Sequence, residues 1–504
     1  MVVIGADPLT IEEVVRVARG GEQAQTTGGA RLRIAEGRAR LLELLKRGDR
    51  IYGVNTGVGG NVGISLPPED MEQLQFNLVT YLGCATGQPL PADVVRAAMV
   101  LRVATFVTGT SAVRNEIVDA LVALLNKGVT PVVPRYGSVG ASGDLMPSAY
   151  IARVLIGQGE VEFNGRRMPA IDALRETRIH PTGFAPKEAL ALINGTTFMT
   201  AVAALLHVDA FRVLRALLQA IALAIEAMQA PVLPFDAWVH ERKGHPGQIA
   251  VAAYLRAMLE GSQFTRESGG QSCYSLRCVP QGLGQVWEAL DTARATIERE
   301  INSANDNPLI DPQTGALYKA GNFYGGHIAR LLDGWKIDFA AMANWGNSLL
   351  ALLVDDRFND GLPANLTPKP GLNSGFKSVQ LSVTSLTCAI RQMAGPSSIH
   401  SLPTEQYNQD VVSLGMHAAV TAMDALECLR NETAMLLLAG AQAVDLRGTP
   451  DRLGRGSAAA YQKVREVCPF LDKDCALESE IGRISDQIRA GIYETSASAT
   501  RDAS

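Results

Sequence analysis

Gly137-Ser138-Val139-Gly140-Ala141-Ser142-Gly143-Asp144-Leu145-Met146-Pro147 sets a run of small residues and one Asp between a proline-containing approach and a long apolar segment. Gly tolerates left-handed backbone and close approach by other groups, so Gly137, Gly140 and Gly143 predict a sharply turned loop. The plain reading is a helix N-terminus with Ser142 or Asp144 as its cap. A serine-hydrolase elbow needs Gly-x-Ser-x-Gly after a strand, and Gly140-Ala141-Ser142-Gly143-Asp144 lacks the second Gly. A phosphate loop would end in Gly-Lys-Ser/Thr, which this stretch does not.

A loop bent hard enough admits a third reading, chemistry on the backbone itself. The amide nitrogen of Gly143, the least hindered kind, would reach the carbonyl carbon of Ala141 and close a five-membered ring. Loss of water, including the Ser142 hydroxyl, would leave an exposed carbon–carbon double bond. That is an electrophile made without an external cofactor.

The full stretch resembles the signature of the aromatic amino acid ammonia-lyase and aminomutase family, in which Ala-Ser-Gly cyclises to methylidene-imidazolone (MIO). The resemblance is closest to the phenylalanine/tyrosine branch. It implies a mainly all-α fold, a long central helix bundle, and a smaller N-terminal domain over 1–200 that carries the MIO loop, with residues 201–504 as the helical bundle. It also implies a homotetramer whose active sites combine segments from several subunits.

Further motifs extend the resemblance along the chain. Tyr52-Gly53-Val54-Asn55-Thr56-Gly57-Val58-Gly59 is similar to the family's Tyr-Gly-Val-Asn-Thr-Gly-Phe-Gly, which assigns Tyr52 as catalytic base and Gly59 to the substrate side. A Tyr hydroxyl titrates near ~10, so such a base implies an alkaline optimum. Leu192-Ile193-Asn194-Gly195-Thr196 matches the family's Asn-Gly-Thr and gives Asn194 the electrophile's oxygen. Gln271-Ser272-Cys273-Tyr274-Ser275-Leu276-Arg277 carries Gln271, Tyr274 and Arg277; the last two are three apart, close enough on a helical turn to face one pocket. An Arg forks well onto a carboxylate. Ser272 stands where the family has Asp.

Substrate choice falls on fewer residues. The helix expected over 73–87 presents Tyr81-Leu82, where the family's phenylalanine, tyrosine and histidine types resemble Phe-Leu, His-Leu and Ser-His. Phe323 lies in Gly321-Asn322-Phe323-Tyr324-Gly325, beside the implied electrophile. Thr404-Glu405-Gln406-Tyr407-Asn408-Gln409-Asp410 places Glu405 near the substrate amine and adds Asn408 and Gln409; histidine enzymes carry Glu where Gln409 stands. These residues point to an ammonia-lyase acting on L-phenylalanine or L-tyrosine and giving a trans-arylacrylate such as cinnamate. The alternatives are a 2,3-aminomutase, a histidine ammonia-lyase and an inactive helical scaffold.

Composition agrees with a buried core and small-molecule work. The 504 residues are 47% hydrophobic with net charge −5, which argues against a surface for nucleic acid or anionic membranes, since either needs a basic face. Met1 to Leu9 lacks a cationic and apolar leader, which points to the cytoplasm. The seven cysteines, odd in number and scattered, read as reduced and mostly buried thiols. His240-Glu241 and His245 lack His-Glu-x-x-His spacing, and no metal or external cofactor is expected.

Local patterns predict several elements. Thr10-Ile11-Glu12-Glu13 reads as a capping box; Arg102 to Lys127 and Leu145 to Ile156 read as helices; Glu160 to Met168 reads as a hairpin turning at Asn164-Gly165. Val286, Leu290, Ala293, Ile297 and Ile301 form a helical stripe. Phe198 to Met228 and Met416 to Ala443 are long apolar runs, the first interrupted by too many charges for a membrane span. Thr495 to Ser504 should fray.

Overall fold

A computed structural model describes residues 1–267, 270–448 and 450–494; the fraying expected at 495–504 lies outside them. Among these residues are eighteen α-helices: α1 (Ile11–Ala18), α2 (Gly28–Lys46), α3 (Met71–Tyr81), α4 (Ala92–Phe106), α5 (Asn115–Asn126), α6 (Leu145–Leu155), α7 (Ala170–Thr177), α8 (Glu188–Ile193), α9 (Thr197–Ala227), α10 (Ala237–Lys243), α11 (Pro246–Leu259), α12 (Tyr274–Arg277), α13 (Val279–Ile301), α14 (Gly326–Val354), α15 (Lys377–Met393), α16 (Gly415–Arg447), α17 (Arg455–Val467) and α18 (Glu478–Arg489). The strands described are short, none longer than four residues, so the all-α class holds.

The chain divides into two compact units, each drawn from three stretches. The first takes Met1–Leu205, Ala293–Asp333 and Pro396–Thr421; the second takes Leu206–Thr292, Gly334–Gly395 and the chain from Ala422.

Within the first unit α1 packs on α4, and α3, α6 and α8 pack on one another. The Thr10 hydroxyl accepts from the Glu13 N–H while the Glu13 side chain accepts from Thr10, so the capping box forms. The hairpin forms too, pairing Glu160–Phe163 with Arg166–Pro169 across Asn164 and Gly165, both at positive φ. α4 is buried at every position from Val94 to Phe106 except Arg96, as a central helix must be.

Two expected helices are shorter than their apolar pattern. The run from Arg102 to Lys127 breaks after Phe106 and resumes at Asn115, because Gly109 (φ +81°) and Ala112 (φ +57°) turn the chain. Val107, Ala112 and Val113 stay buried inside that turn, at 6%, 1% and 1% exposure, so hydrophobicity continues where the helix does not. The helix expected over 73–87 ends at Tyr81, with Leu82 as its C-cap, and a strand follows over Thr86–Pro89.

Two further expectations meet the packing. The stripe Val286, Leu290, Ala293, Ile297 and Ile301 is buried along α13. The cysteines are not mostly buried: Cys84, Cys273, Cys388 and Cys475 are exposed and only Cys468 is buried, all as free thiols. Their placement on loops and outer helix faces explains the difference. α14 is one helix long and apolar enough to cross a membrane by length and composition, with half of its apolar window buried in the protein. In α10, His240 is buried, with Nε2 on the Pro234 carbonyl and Nδ1 on the Gln248 amide.

In the second unit, Glu432 of α16 is fully buried against α15. Its Oε2 lies 3.1 Å from Thr387 Oγ1, which lies 2.9 Å from the Val383 carbonyl. A threonine hydroxyl has one proton to give. If Val383 receives it, the glutamic acid itself must donate to Thr387. Burial pushes the Glu432 pKa up to about 9 from 4.5, which agrees with a protonated side chain. Its Oε1 occupies space left by Gly346, where a Cβ would come within 2.6 Å.

The sign of the pH effect follows. Unfolded, this carboxyl ionises near 4.5; folded, near 9. Stability therefore declines as pH rises through that window, by at most about 1.4 kcal/mol per pH unit. Glu432→Gln keeps a neutral donor of the same size and is expected to flatten the fall of Tm from mildly acid to mildly alkaline pH. Parallel Tm profiles for both proteins would contradict this.

Candidate active site

The loop of Ala141-Ser142-Gly143 enters from a short strand (Pro134–Tyr136) and leaves directly into α6. Gly140 and Gly143 pair across the turn, each near φ +74°. Gly143 is also paired with Gly195: the Gly195 N–H donates to the Ser142 carbonyl at 3.1 Å, and the Asp144 N–H donates to the Gly195 carbonyl at 2.7 Å. A Cβ at position 143 would sit 2.0 Å from that carbonyl oxygen. Only glycine permits this approach, which leaves its nitrogen unhindered.

Asp144 stands at the N-cap position of α6 but makes no side-chain cap there. Its carboxylate reaches α9 instead, accepting from the Met199 N–H at 2.8 Å. Complete burial, offset by the Met199 and Phe198 N–H donors and by Arg102, raises its pKa to about 7. The cap reading of Asp144 is thus right in kind and wrong in helix, because its partner lies far off in sequence.

Asn194 follows α8 and is 2% exposed, with a side-chain Oδ1 that has no hydrogen-bond partner among the described residues. Its carbonyl accepts from buried Arg102 Nη1 at 2.7 Å, beside Ala191 at 3.1 Å. An amide carries two N–H donors beside that oxygen, so Asn194, next to a tight Ala-Ser-Gly turn, can donate to an oxygen formed on that turn. The residues present therefore suit MIO.

Two loops carry most of the remaining first-unit residues. The Gly59 N–H donates to the Tyr52 hydroxyl at 2.9 Å. Burial holds the Tyr52 pKa above its ordinary value, the Gly59 donor lowers it, and the charge of Glu405 adds to the rise. Glu405 lies over Gly59, where a Cβ would come within 2.3 Å of its Oε2.

Glu405, Gln406 and Tyr407 all take positive φ, at 50°, 55° and 64°. Non-glycine residues held there store about 1–3 kcal/mol each. Thr404 and Gln409 restrain them, through a backbone bond at 2.9 Å and a Thr404 Oγ1 to Gln409 Oε1 bond at 2.9 Å. The Gln409 Nε2 then donates to Ser142 Oγ at 3.3 Å. The structure thus joins Tyr52, Gly59 and Glu405 in one cluster, and Ser142, Gly143, Gly195 and Gln409 in another.

Tyr81 is 54% exposed at the end of α3. Lost hydration at its hydroxyl, then the neighbouring Glu405 and Tyr52, push its pKa to about 12. Leu82 is buried, Phe323 is partly buried before α14, and Asn408 is exposed, its N–H donating to the Glu405 carbonyl.

Gln271, Tyr274 and Arg277 belong to the second unit. The Arg277 guanidinium stacks 4.7 Å from the Tyr274 ring centroid, as their spacing predicts. Its Nε donates to the Ser272 carbonyl at 3.0 Å and its Nη2 to Gln271 Oε1 at 3.4 Å. Main chain at position 272 thus orients Arg277, so the change from Asp to Ser leaves that bond in place.

A family model described as aromatic amino acid lyase matches residues 9–466. The chain belongs to the aromatic amino acid lyase family. It is a carbon–nitrogen lyase. A histidine ammonia-lyase of Anaeromyxobacter sp. (strain K) is 38% identical over 504 residues, covering 97% of this lyase and 99% of that protein. Among solved structures, tyrosine aminomutase from Streptomyces globisporus matches with TM-score 0.94 at 33% identity, covering 100% of this chain and 99% of the other. Phenylalanine aminomutase from Pantoea agglomerans matches with TM-score 0.93 at 32% identity, covering 97% and 99%.

The sequence reading of the lyase missed two buried polar side chains that hold these segments. Arg102 interrupts the buried apolar run of α4, and Gln75 lies on the buried stripe of α3 with Leu78 and Val79. A polar residue on an otherwise apolar helical face is the signal that could have found them.

Proposed function

We propose that this lyase eliminates ammonia from an aromatic L-amino acid, phenylalanine or tyrosine, using MIO formed from Ala141-Ser142-Gly143. The observation that carries the substrate reading is Gln409, a neutral amide within 3.3 Å of Ser142 Oγ where histidine enzymes carry an acid. When formed, MIO supplies an electrophile that makes the substrate nitrogen a leaving group.

Side chains brought together from several subunits do the rest. Arg277 forks onto the carboxylate, with Tyr274 beside it. Glu405 faces the amine, while Tyr81, Leu82 and Phe323 face the ring, and Gly59, Gln271 and Asn408 line the substrate's surroundings. Asn194 donates to the electrophile's oxygen. Tyr52 oxygen takes the β-proton, that C–H pair becomes the new Cα=Cβ bond, and the Cα–N bond breaks. Its raised pKa makes the rate climb with pH. A homotetramer assembles the sites.

The names of the curated relatives favour a second reading, histidine, and the aminomutase neighbours a third, in which ammonia returns to the β-carbon. Incubation with L-phenylalanine, L-tyrosine and L-histidine separates them. The expected result is cinnamate or coumarate absorbance with free ammonia; urocanate alone, or β-phenylalanine as the main product, would reject the proposal.

A further inference from the structure

Gln75 is fully buried on the stripe that α3 turns inward. A primary amide there is costly unless its donor and acceptor are both met. Main chain from two distant segments meets them. Nε2 donates to the Gly53 carbonyl at 2.9 Å, and Oε1 accepts from the Leu190 N–H at 3.2 Å.

One bond falls where α8 has little else; the other ties α3 to a loop that is otherwise held by its own bonds, from the Ile51 N–H to Asn55 Oδ1 at 2.7 Å and from the Gly53 N–H to Thr56 Oγ1 at 3.2 Å. α8 begins after Lys187, which has φ +84° and offers no side-chain cap. The Leu190 N–H is one of the first-turn donors that no upstream carbonyl of the helix reaches. Gly53 has φ +62°, and a Cβ there would lie 2.7 Å from Leu190 Cδ2, so its loop rests directly on α8. Gly53 adjoins Tyr52, α8 delivers Asn194, and α3 itself ends in Tyr81.

We infer that Gln75 is a positioning residue, one side chain that fixes the spacing of the Tyr52 loop, the ring-facing end of α3 and the Asn194 turn. This rests on Tyr52 being the base, as proposed above. Gln75 touches no reacting atom and acts through the segments it spaces, the Tyr52 loop first among them.

A methionine at 75 fills the same volume but can neither donate to Gly53 nor accept from Leu190. The foot of the Tyr52 loop then loosens, and proton transfer suffers more than substrate binding. A glutamate keeps the acceptor for Leu190 and, only while protonated, a donor for Gly53. Its activity relative to wild type should therefore fall as pH rises.

The test uses the full-length enzyme with Gln75→Met, Gln75→Glu, Tyr52→Phe and a control, Gln219→Met. Gln219 is an equally buried amide in the second unit, bonded to the Tyr254 hydroxyl and the Tyr493 carbonyl. Intact mass counts the dehydrated loop, and kcat and KM are followed across pH. Gln75→Met is expected to keep the mass deficit and lose about ten- to hundredfold in kcat with KM little changed, the scale of a reacting group misplaced by about 1 Å. Gln219→Met should lower Tm without changing kcat. Wild-type kcat for Gln75→Met, normalised to dehydrated loop, would overturn the inference whatever its Tm. If that variant fails to fold, a pH-independent activity ratio for Gln75→Glu does the same. Wild-type activity in Tyr52→Phe would instead remove the base assignment, and the tie with it.

Discussion

Ser142→Ala is expected to lower kcat/KM by at least ~1,000-fold, equivalent to about 4 kcal/mol of transition-state stabilisation. The reason is specific to the loop. Ser142 is 8% exposed and its hydroxyl receives the Gln409 amide, so alanine fits the space and removes only the oxygen and one hydrogen bond. The fold should survive, with a Tm near wild type. What is lost is the hydroxyl whose departure would leave the double bond of the electrophile. Steady-state rates with the best of the three amino acids measure the effect. Full activity in the variant would remove the electrophile from the account.

Tyr52→Phe carries the second largest expected effect, about 100- to 10,000-fold in kcat, the usual contribution of a positioned acid–base group. The ring is retained and only the hydroxyl that accepts from Gly59 is deleted. Burial holds this hydroxyl above its ordinary pKa, so the ionised, proton-accepting form grows as pH rises. Wild-type kcat/KM should climb steadily from neutral into alkaline solution, and the residual activity of Tyr52→Phe should lose that dependence. A flat wild-type profile, or an unchanged slope in the variant, would contradict Tyr52 as base. The alkaline gain in rate opposes the alkaline loss in stability expected from Glu432, and the two effects bracket the working range.

Elements with local causes were legible in the sequence. The capping box at Thr10 and Glu13 and the Asn164-Gly165 hairpin each depend on bonds within a few residues, and each forms as read. The close pairing of Gly143 with Gly195 was only half visible: the glycines announce a turn, but the partner that excludes a side chain at 143 is set by tertiary packing. The same holds for Asp144, whose bond to Met199 spans the chain between α6 and α9. Burial, rather than helix formation, explains the error at 107–114. Val107, Ala112 and Val113 are apolar because their loop is inside the protein, and hydrophobic periodicity does not tell a buried loop from a buried helix. Gln75 and Arg102 stood out only as polar residues in apolar runs. Their meaning required the carbonyls and N–H groups that the fold brings to them.

The central claim is that Ala141, Ser142 and Gly143 are no longer three ordinary residues in the mature enzyme. The intact mass of the purified full-length chain tests this most directly. The account predicts a chain lighter than its sequence by two waters, with the deficit confined to a peptide containing residues 141–143. A chain at its full sequence mass, in a preparation that nonetheless releases ammonia and arylacrylate, would contradict it.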